Sequence, residues 1–455
     1  MKGSLRVLVA AACCALGAGA HALTLEDAIA AAEKNDPTLA SAKANRDAAF
    51  ENIAIARAKL LPQTSFQGMV QKIQEGVKQD AATPGGGSIG SSYLVNAYNN
   101  QFSLRQRLYH PRDWMGYDIG KLQSEYGNEK LASARSDLWM RTANAWIDVL
   151  AAVEARRIYE QTVSITAEAA DQAERRFKAG DGTRDAVVEA QAQAALARSQ
   201  LTEAQITERS RLQSFRLLTG IEATDLQDWH LPDYRSLHLS VENQAELRKA
   251  ADELNPEILA ARAAEEINRK RAEQARADRL PTVDLVASKS WAQNDTVFTI
   301  NQRYTALGAG VQVNIPLYDG GGLSATQRQA ELSAMASRED LRAQQLKLDS
   351  QVENDWASAE ASLERARSAQ LLWQSALEQK KAAEMGLKSG VRTWGDIAQA
   401  DILIARRASD FLGYAAGVLH AQARLLSTLP VTENLWEPWV AQISLLARPG
   451  VQPRP

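Results

Sequence analysis

The run RDWMGYDIGKLQSEYGNEKLASARSDLWMRTANAWIDVLAAVEARRIYEQTVSITAEAADQAERRFKA, residues 112–179, contains no proline and, after Gly127, no glycine. One unbroken helix over it would be roughly 100 Å long, about three times the diameter of a small domain. Residues 323–385 meet the same condition, with neither glycine nor proline, and permit roughly 95 Å more. Helices of that length need partners equally long. Each run ends in a glycine-marked turn, Lys178-Ala-Gly-Asp-Gly-Thr183 and Lys388-Ser-Gly-Val-Arg-Thr393, and then re-enters a proline-free helical stretch running back the other way. The sequence predicts two very long helical hairpins.

The plan occurs twice. Thr24-Leu-Glu-Asp27 reads as a capping box opening an Ala-rich helix that carries to Leu61-Pro62, with Asn35-Asp36-Pro37 inside it. Asn243-Gln-Ala-Glu246, Asn255-Pro256 and Leu280-Pro281 restate these features 219 residues later. Further on the offset is 210: Asn144, Trp146, Lys178, Gly180 and Thr183 return as Asn354, Trp356, Lys388, Gly390 and Thr393. This is an internal duplication, with repeats at about 23–220 and 243–429. Narrow seams at spacings of 3 and 4 mark Val187, Ala190, Ala194, Ala197, Leu201 and Ala204, and again Leu348, Val352, Trp356, Ala359 and Leu363. The tryptophans at 139, 146, 356 and 373 read as packing residues.

After each Leu-Pro the period changes from helical to alternating. Thr305, Leu307, Ala309, Val311, Val313, Ile315 and Leu317 alternate with small or polar residues, and Phe102, Leu104 and Leu108 do so more briefly. Partner strands are expected from Thr64 to about Gln74 and from Thr282 to Trp291, giving hairpins over 64–109 and 282–317. The loops between them, Ala81 to Ser92 and Ala292 to Arg303, are polar and read as exposed tips. Tyr93, Tyr98, Phe102, Tyr109, Trp291, Phe298, Tyr304 and Tyr318 cluster in and around these segments, as aromatic girdles do at bilayer interfaces. Four strands cannot close a barrel, so a lipid-facing sheet of this size requires several chains to share one. Taken alone, the strands fit a soluble sheet with aromatic packing equally well.

Residues 1–22 read as a signal peptide, with Lys2 and Arg6, an apolar stretch from Val7 to Leu16 and an Ala20-His21-Ala22 cleavage site. Cys13 and Cys14 also suggest a lipoprotein leader, against which the short stretch before them and the A-x-A site argue. Cleavage would leave no cysteine and move the formal charge from −3 to −5, which gives no reason to expect nucleic acid. No other stretch is apolar for the 18 or so residues a transmembrane helix needs, so any bilayer span must be made of strands. The remaining histidines, His110, His230, His238 and His420, show no metal-ligand spacing, and no nucleophile-elbow or phosphate-loop pattern is present. Neither enzyme nor cofactor is expected. Segments 221–242 and 430–455 fit neither pattern and read as an irregular equatorial belt and a loose tail.

Leader, duplicated helix–hairpin–long helix–turn–helix order, Leu-Pro passages and the K-[AS]-G tips together resemble the TolC family of outer-membrane channel-tunnel proteins, over essentially the whole mature chain. The resemblance implies a mainly α fold with a small β part: a long α-helical barrel joined to a 12-stranded transmembrane β-barrel shared by a homotrimer. It implies residence in the outer membrane of a Gram-negative bacterium, reaching into the periplasm, in contact with outer-membrane lipid. Partners would be a periplasmic adaptor protein and an inner-membrane ABC transporter or proton-driven pump. Type I protein secretion is the favoured task, with small-molecule efflux the alternative. A coiled-coil adhesin or scaffold is a rival that the paired hairpins disfavour.

By the same resemblance the periplasmic gate lies at the second tip. Arg392 takes the place of an arginine in the closing network, and Asp396 that of an aspartate ring narrowing the entrance. Gln399 replaces a second expected aspartate and Leu387 an expected tyrosine. Asp185 sits one residue early in the first tip, within possible reach of Arg392. Lys178, Gly180, Gly182, Thr183, Lys388, Gly390 and Thr393 form tips expected to meet the adaptor. Two plainer readings stay open: Asp396 as the acidic member of a helix cap, and Arg392 as a solvated turn residue.

Overall fold

A computed structural model describes residues 24–79, 89–221, 243–294, 302–430 and 439. The leader, Phe298 and nearly all of the expected belt and tail lie outside the described residues. The first repeat forms α1 (Leu25–Asn35), α2 (Pro37–Ala58), β1 (Gln63–Gln79), β2 (Ile89–Tyr109), α3 (Pro111–Lys178) and α4 (Arg184–Thr219). The second forms α5 (Gln244–Leu254), α6 (Pro256–Ala277), β3 (Thr282–Asn294), β4 (Arg303–Asn314), α7 (Gly322–Lys388) and α8 (Trp394–Ser427). The two long runs are single helices of 68 and 67 residues.

The helix expected to pass through Asn35-Asp36-Pro37 is instead broken there. Asp36 is extended, with φ −72° and ψ 118°, as a residue before proline is pushed to be. Its Oδ1 accepts the Leu39 N–H at 2.8 Å and so starts α2. Asn255 breaks the second repeat in the same way, extended at φ −61° and ψ 125°, with Oδ1 accepting the N–H groups of Glu257 and Ile258 at 2.9 and 3.2 Å. The α2 helix ends at Ala58, short of Leu61.

The strand bounds also depart from expectation, and β3 runs on to Asn294 rather than ending at Trp291. β1 and β2 are longer than read, and β2 takes residues from the Gly-rich segment assigned to the loop. β4 stops at Asn314 rather than Leu317, because Pro316 has no N–H to give a ladder.

Contacts gather the described residues into two compact units, one drawn from Met1–Lys43, Lys130–Ile258 and Gln345–Pro455, the other from Ala44–Glu129 and Leu259–Gln344. These boundaries cut across the duplication, so each unit takes matching pieces of both repeats. In the first unit Trp146, Ile147, Phe215, Phe411, Leu419 and Trp439 share one core. Trp146 and Phe215 have ring centroids 5.8 Å apart, and Trp373 stacks on Phe411 at 5.9 Å. The tryptophans therefore pack, as expected. The seams are where the pattern put them: Ala194, Ala197 and Ala204 on α4, and Val352 and Ala359 on α7, are buried.

The second unit holds the sheet, antiparallel in the order β1-β2-β3-β4. The two hairpins, one from each repeat, join where β2 pairs with β3.

Candidate functional site: a two-faced sheet and two hairpin tips

Register assigns every strand residue to one of two faces. Ser65, Ser103, Ser288 and Gly308 lie in one row across all four strands, and the neighbouring row is Gln63, Arg105, Val286 and Gly310. These line a hollow on the polar face. The opposite face carries Phe66, Val70, Phe102, Leu104, Leu285, Trp291, Leu307, Val311 and Val313. It is open: Val70 is 85% exposed and Leu307 81%. An apolar surface of this kind needs lipid or a partner to cover it. β1 and β4 are the outer strands, and no further strand pairs with them among the described residues.

At the passage from β2 into α3 the sheet is held by a group that sequence reading missed. His110 Nε2 is 3.0 Å from Asp284 Oδ1 and its Nδ1 is 3.2 Å from Asp113 Oδ2. Arg107 reaches Asp113 at 2.6 Å and Arg105 reaches Asp284 at 3.4 Å. Both carboxylates are buried, which demands such partners. A lone histidine with partners up to 174 residues away gives no local signal.

The tips, in the first unit, are built to one pattern. Gly180 and Gly390 sit at φ 83° and 75°, a region that costs a side chain roughly 1–2 kcal/mol. Around Gly180, the N–H of Asp181 bonds the Arg176 carbonyl and that of Gly180 bonds the Phe177 carbonyl, both at 3.0 Å. Around Gly390, Val391 bonds Gly386 at 2.9 Å and Gly390 bonds Leu387 at 3.1 Å. Both are Schellman closures that satisfy the last helical carbonyls.

The returning helices then start differently. Thr393 Oγ1 accepts the Asp396 N–H at 3.3 Å, while Asp396 Oδ2 accepts the Thr393 N–H at 2.7 Å, a complete capping box. Arg392 Nη1 stands 3.5 Å from Asp396 Oδ1. The Thr393 N–H, then its hydroxyl and the Arg392 charge, hold the Asp396 carboxyl below its ordinary 3.8. In the first tip Thr183 Oγ1 accepts the N–H of Ala186 at 3.2 Å, and Asp185, one position early, stands in the first turn of α4 without completing a box. Among the described residues the ion pair of Arg392 is with Asp396 of its own hairpin. Gln399 donates to Glu189 Oε1 at 3.4 Å, tying α8 to α4. Lys178 pairs with Glu174 at 2.9 Å, and Lys388 is exposed.

The profile of the outer membrane efflux protein family matches residues 28–221 and 247–429, both repeats of this architecture. The chain belongs to that family. It is 27% identical to the outer membrane protein TolC of Vibrio cholerae over 405 residues, covering 88% of this chain and 89% of the relative. It is also 27% identical to the alkaline protease secretion protein AprF of Pseudomonas aeruginosa, over 89% and 84% of the two chains, and 24% to the outer membrane efflux protein BepC of Brucella suis, over 90% and 87%. Solved structures share the fold: VceC of Vibrio cholerae superposes with a TM-score of 0.71 at 16% identity, covering 89% of this chain and 95% of that one. The Campylobacter jejuni CmeC channel gives 0.72 at 14%, covering 92% and 89%. This protein is thus an outer-membrane exit duct reaching into the periplasm, and a channel component rather than an enzyme. No helix among the described residues is long and apolar enough to cross a membrane.

Proposed function

We propose that three copies of this chain close their sheets into one 12-stranded barrel, and that the resulting duct serves type I secretion of polypeptides with a periplasmic adaptor and an inner-membrane transporter. The observation that carries the reading is the sheet itself. It has one polar and one exposed apolar face and two open edges, so copies joined edge to edge put the serines and glycines inside and the aromatics against lipid. Two relatives at 26–27% identity are named for protease secretion, which favours a polypeptide cargo. The family description and BepC favour efflux as the second reading.

In this duct the tips at Lys178, Gly180, Gly182 and Thr183 and at Lys388, Gly390 and Thr393 meet the adaptor. Asp396, Arg392, Asp185 and Gln399 form the periplasmic gate. Deleting the gene should remove one or more large polypeptides from the culture medium and leave drug susceptibility unchanged. Unchanged medium with raised drug susceptibility reverses the assignment to efflux.

A further inference from the structure

The two tips solve one crowding problem in opposite ways. In each, the residue six places before the helix-starting side of the turn is approached by the residue just ahead of the capping threonine. In the first tip those residues are Arg176 and Gly182; at the 210-residue offset they become Gly386 and Arg392. A Cβ on Gly182 would come within 3.1 Å of the Phe177 nitrogen and 3.3 Å of the Arg176 carbonyl carbon. A Cβ on Gly386 would meet Arg392 Cγ at 2.5 Å and its Cβ at 3.2 Å. Each tip thus holds one arginine and one glycine at the same two places, exchanged. The two closing backbone bonds are the same in both, and the second tip adds a bond from the Arg392 N–H to the Gly386 carbonyl at 3.1 Å.

A glycine in the last turns of α7 is unfavourable relative to alanine, so its presence calls for a reason, and the stem of Arg392 supplies it. We infer that Gly386 is a positioning residue for Arg392: its bare Cα lets the arginine fold back over the end of α7 and deliver its guanidinium to Asp396. In the first tip the exchange leaves the arginine on the outgoing helix, where Arg176 Nη2 stands 3.9 Å from Asp181. The duplication has placed the two charges differently on turns that share the same two closing bonds. The consequence for closure rests on the gate role proposed for Arg392; the dependence of Arg392 on Gly386 does not.

The test uses the full-length protein in nanodiscs, with hydrogen exchange of the tip amides and single-channel recording. Gly386→Ala should speed exchange of the Val391 and Arg392 amides about tenfold and raise resting conductance as Arg392→Ser does. In an Arg392→Gly background the same alanine should slow exchange or leave it alone, because nothing remains to clash. The exchanged variant Gly386→Arg/Arg392→Gly should keep tip protection close to that of the natural chain yet stay leaky. Equal acceleration by Gly386→Ala in both backgrounds, or an exchanged variant that closes fully, overturns the inference. If Arg392→Ser leaves conductance unchanged, the gate reading falls, and the exchange data still decide the role of Gly386.

Discussion

Asn255 donates its side-chain amide to the carbonyl of Thr428 at 2.7 Å, across 173 residues of sequence. The same side chain caps α6 through Oδ1, so one asparagine serves two helix ends. The first repeat divides the work. Asp36 caps α2, and Asn35 donates to the carbonyls of Leu217 and Leu218 at 3.1 and 3.2 Å. Asn255 is 7% exposed, and a buried group left unsatisfied costs about 1–3 kcal/mol. Asn255→Asp keeps the cap and turns a carboxylate toward a carbonyl, so it should lower stability by about 2 kcal/mol. Asn35→Ala, at an exposed site, should cost under about 1 kcal/mol. Denaturant unfolding of the two variants checks the ratio.

The long helices, the duplication and the strands were legible because each leaves a mark in the sequence: absence of Pro over more than sixty residues with little or no Gly, repeated offsets, alternation. The breaks at Asp36 and Asn255 were readable in principle, since each precedes a proline, but the Ala-rich helical pattern on either side masked them. The Asn255–Thr428 and His110–Asp284 contacts were not readable. Each joins single polar residues of different elements, and long-range polar pairs have no period. At the tips the capping box at Thr393 was visible. The Gly386–Arg392 approach was not, because it depends on how the turn folds back.

Trp439 shows the same limit. It lies in a proline-rich stretch read as a loose tail, yet it is 1% exposed, belongs to the core with Trp146 and Phe215, and donates its indole N–H to Gln422 at 2.9 Å. Truncating a buried tryptophan to alanine costs about 3–5 kcal/mol. Trp439→Ala should show that loss in thermal unfolding, and Trp439→Phe, which loses only the donor and part of the ring, should fall between. A variant as stable as the natural chain would return the residue to the tail.

The open edges of β1 and β4 predict that strand structure depends on assembly. Detergent-extracted protein should be trimeric by native mass spectrometry, and the strand signal in circular dichroism should disappear when trimers dissociate. A monomer with full strand content would show that the sheet needs no partner edge.

Gly180 and Gly390 hold left-handed turns at exposed tips. Valine at either position should strain its turn by roughly 1–2 kcal/mol, so export should fall while trimers still accumulate in the outer membrane. Secreted polypeptide measured against outer-membrane channel abundance gives the answer, and undiminished export from both variants would remove the tips from adaptor contact.

Asp396 separates the cap from the gate. Its carboxyl is held below the ordinary 3.8 by the Thr393 N–H and hydroxyl and by Arg392. A lowered folded pKa means that the stabilisation is present above about pH 4 and is lost as pH falls through the folded value. Protection of the Thr393 and Asp396 amides, taken relative to the unstructured chain at the same pH, should therefore fall on acidification below about pH 4 in the natural chain. In Asp396→Ala it should already be reduced at neutral pH and show no such step. That much follows from the capping box whether or not the residue lines a pore. If three copies also meet around one axis, three carboxylates attract cations at the entrance, and Asp396→Ala should lower cation selectivity and relieve block by multivalent cations. Arg392→Ser should raise resting conductance while leaving the ring of carboxylates in place. Reversal potentials in asymmetric salt decide: a changed exchange profile with an unaltered reversal potential and block makes Asp396 a helix cap and nothing more.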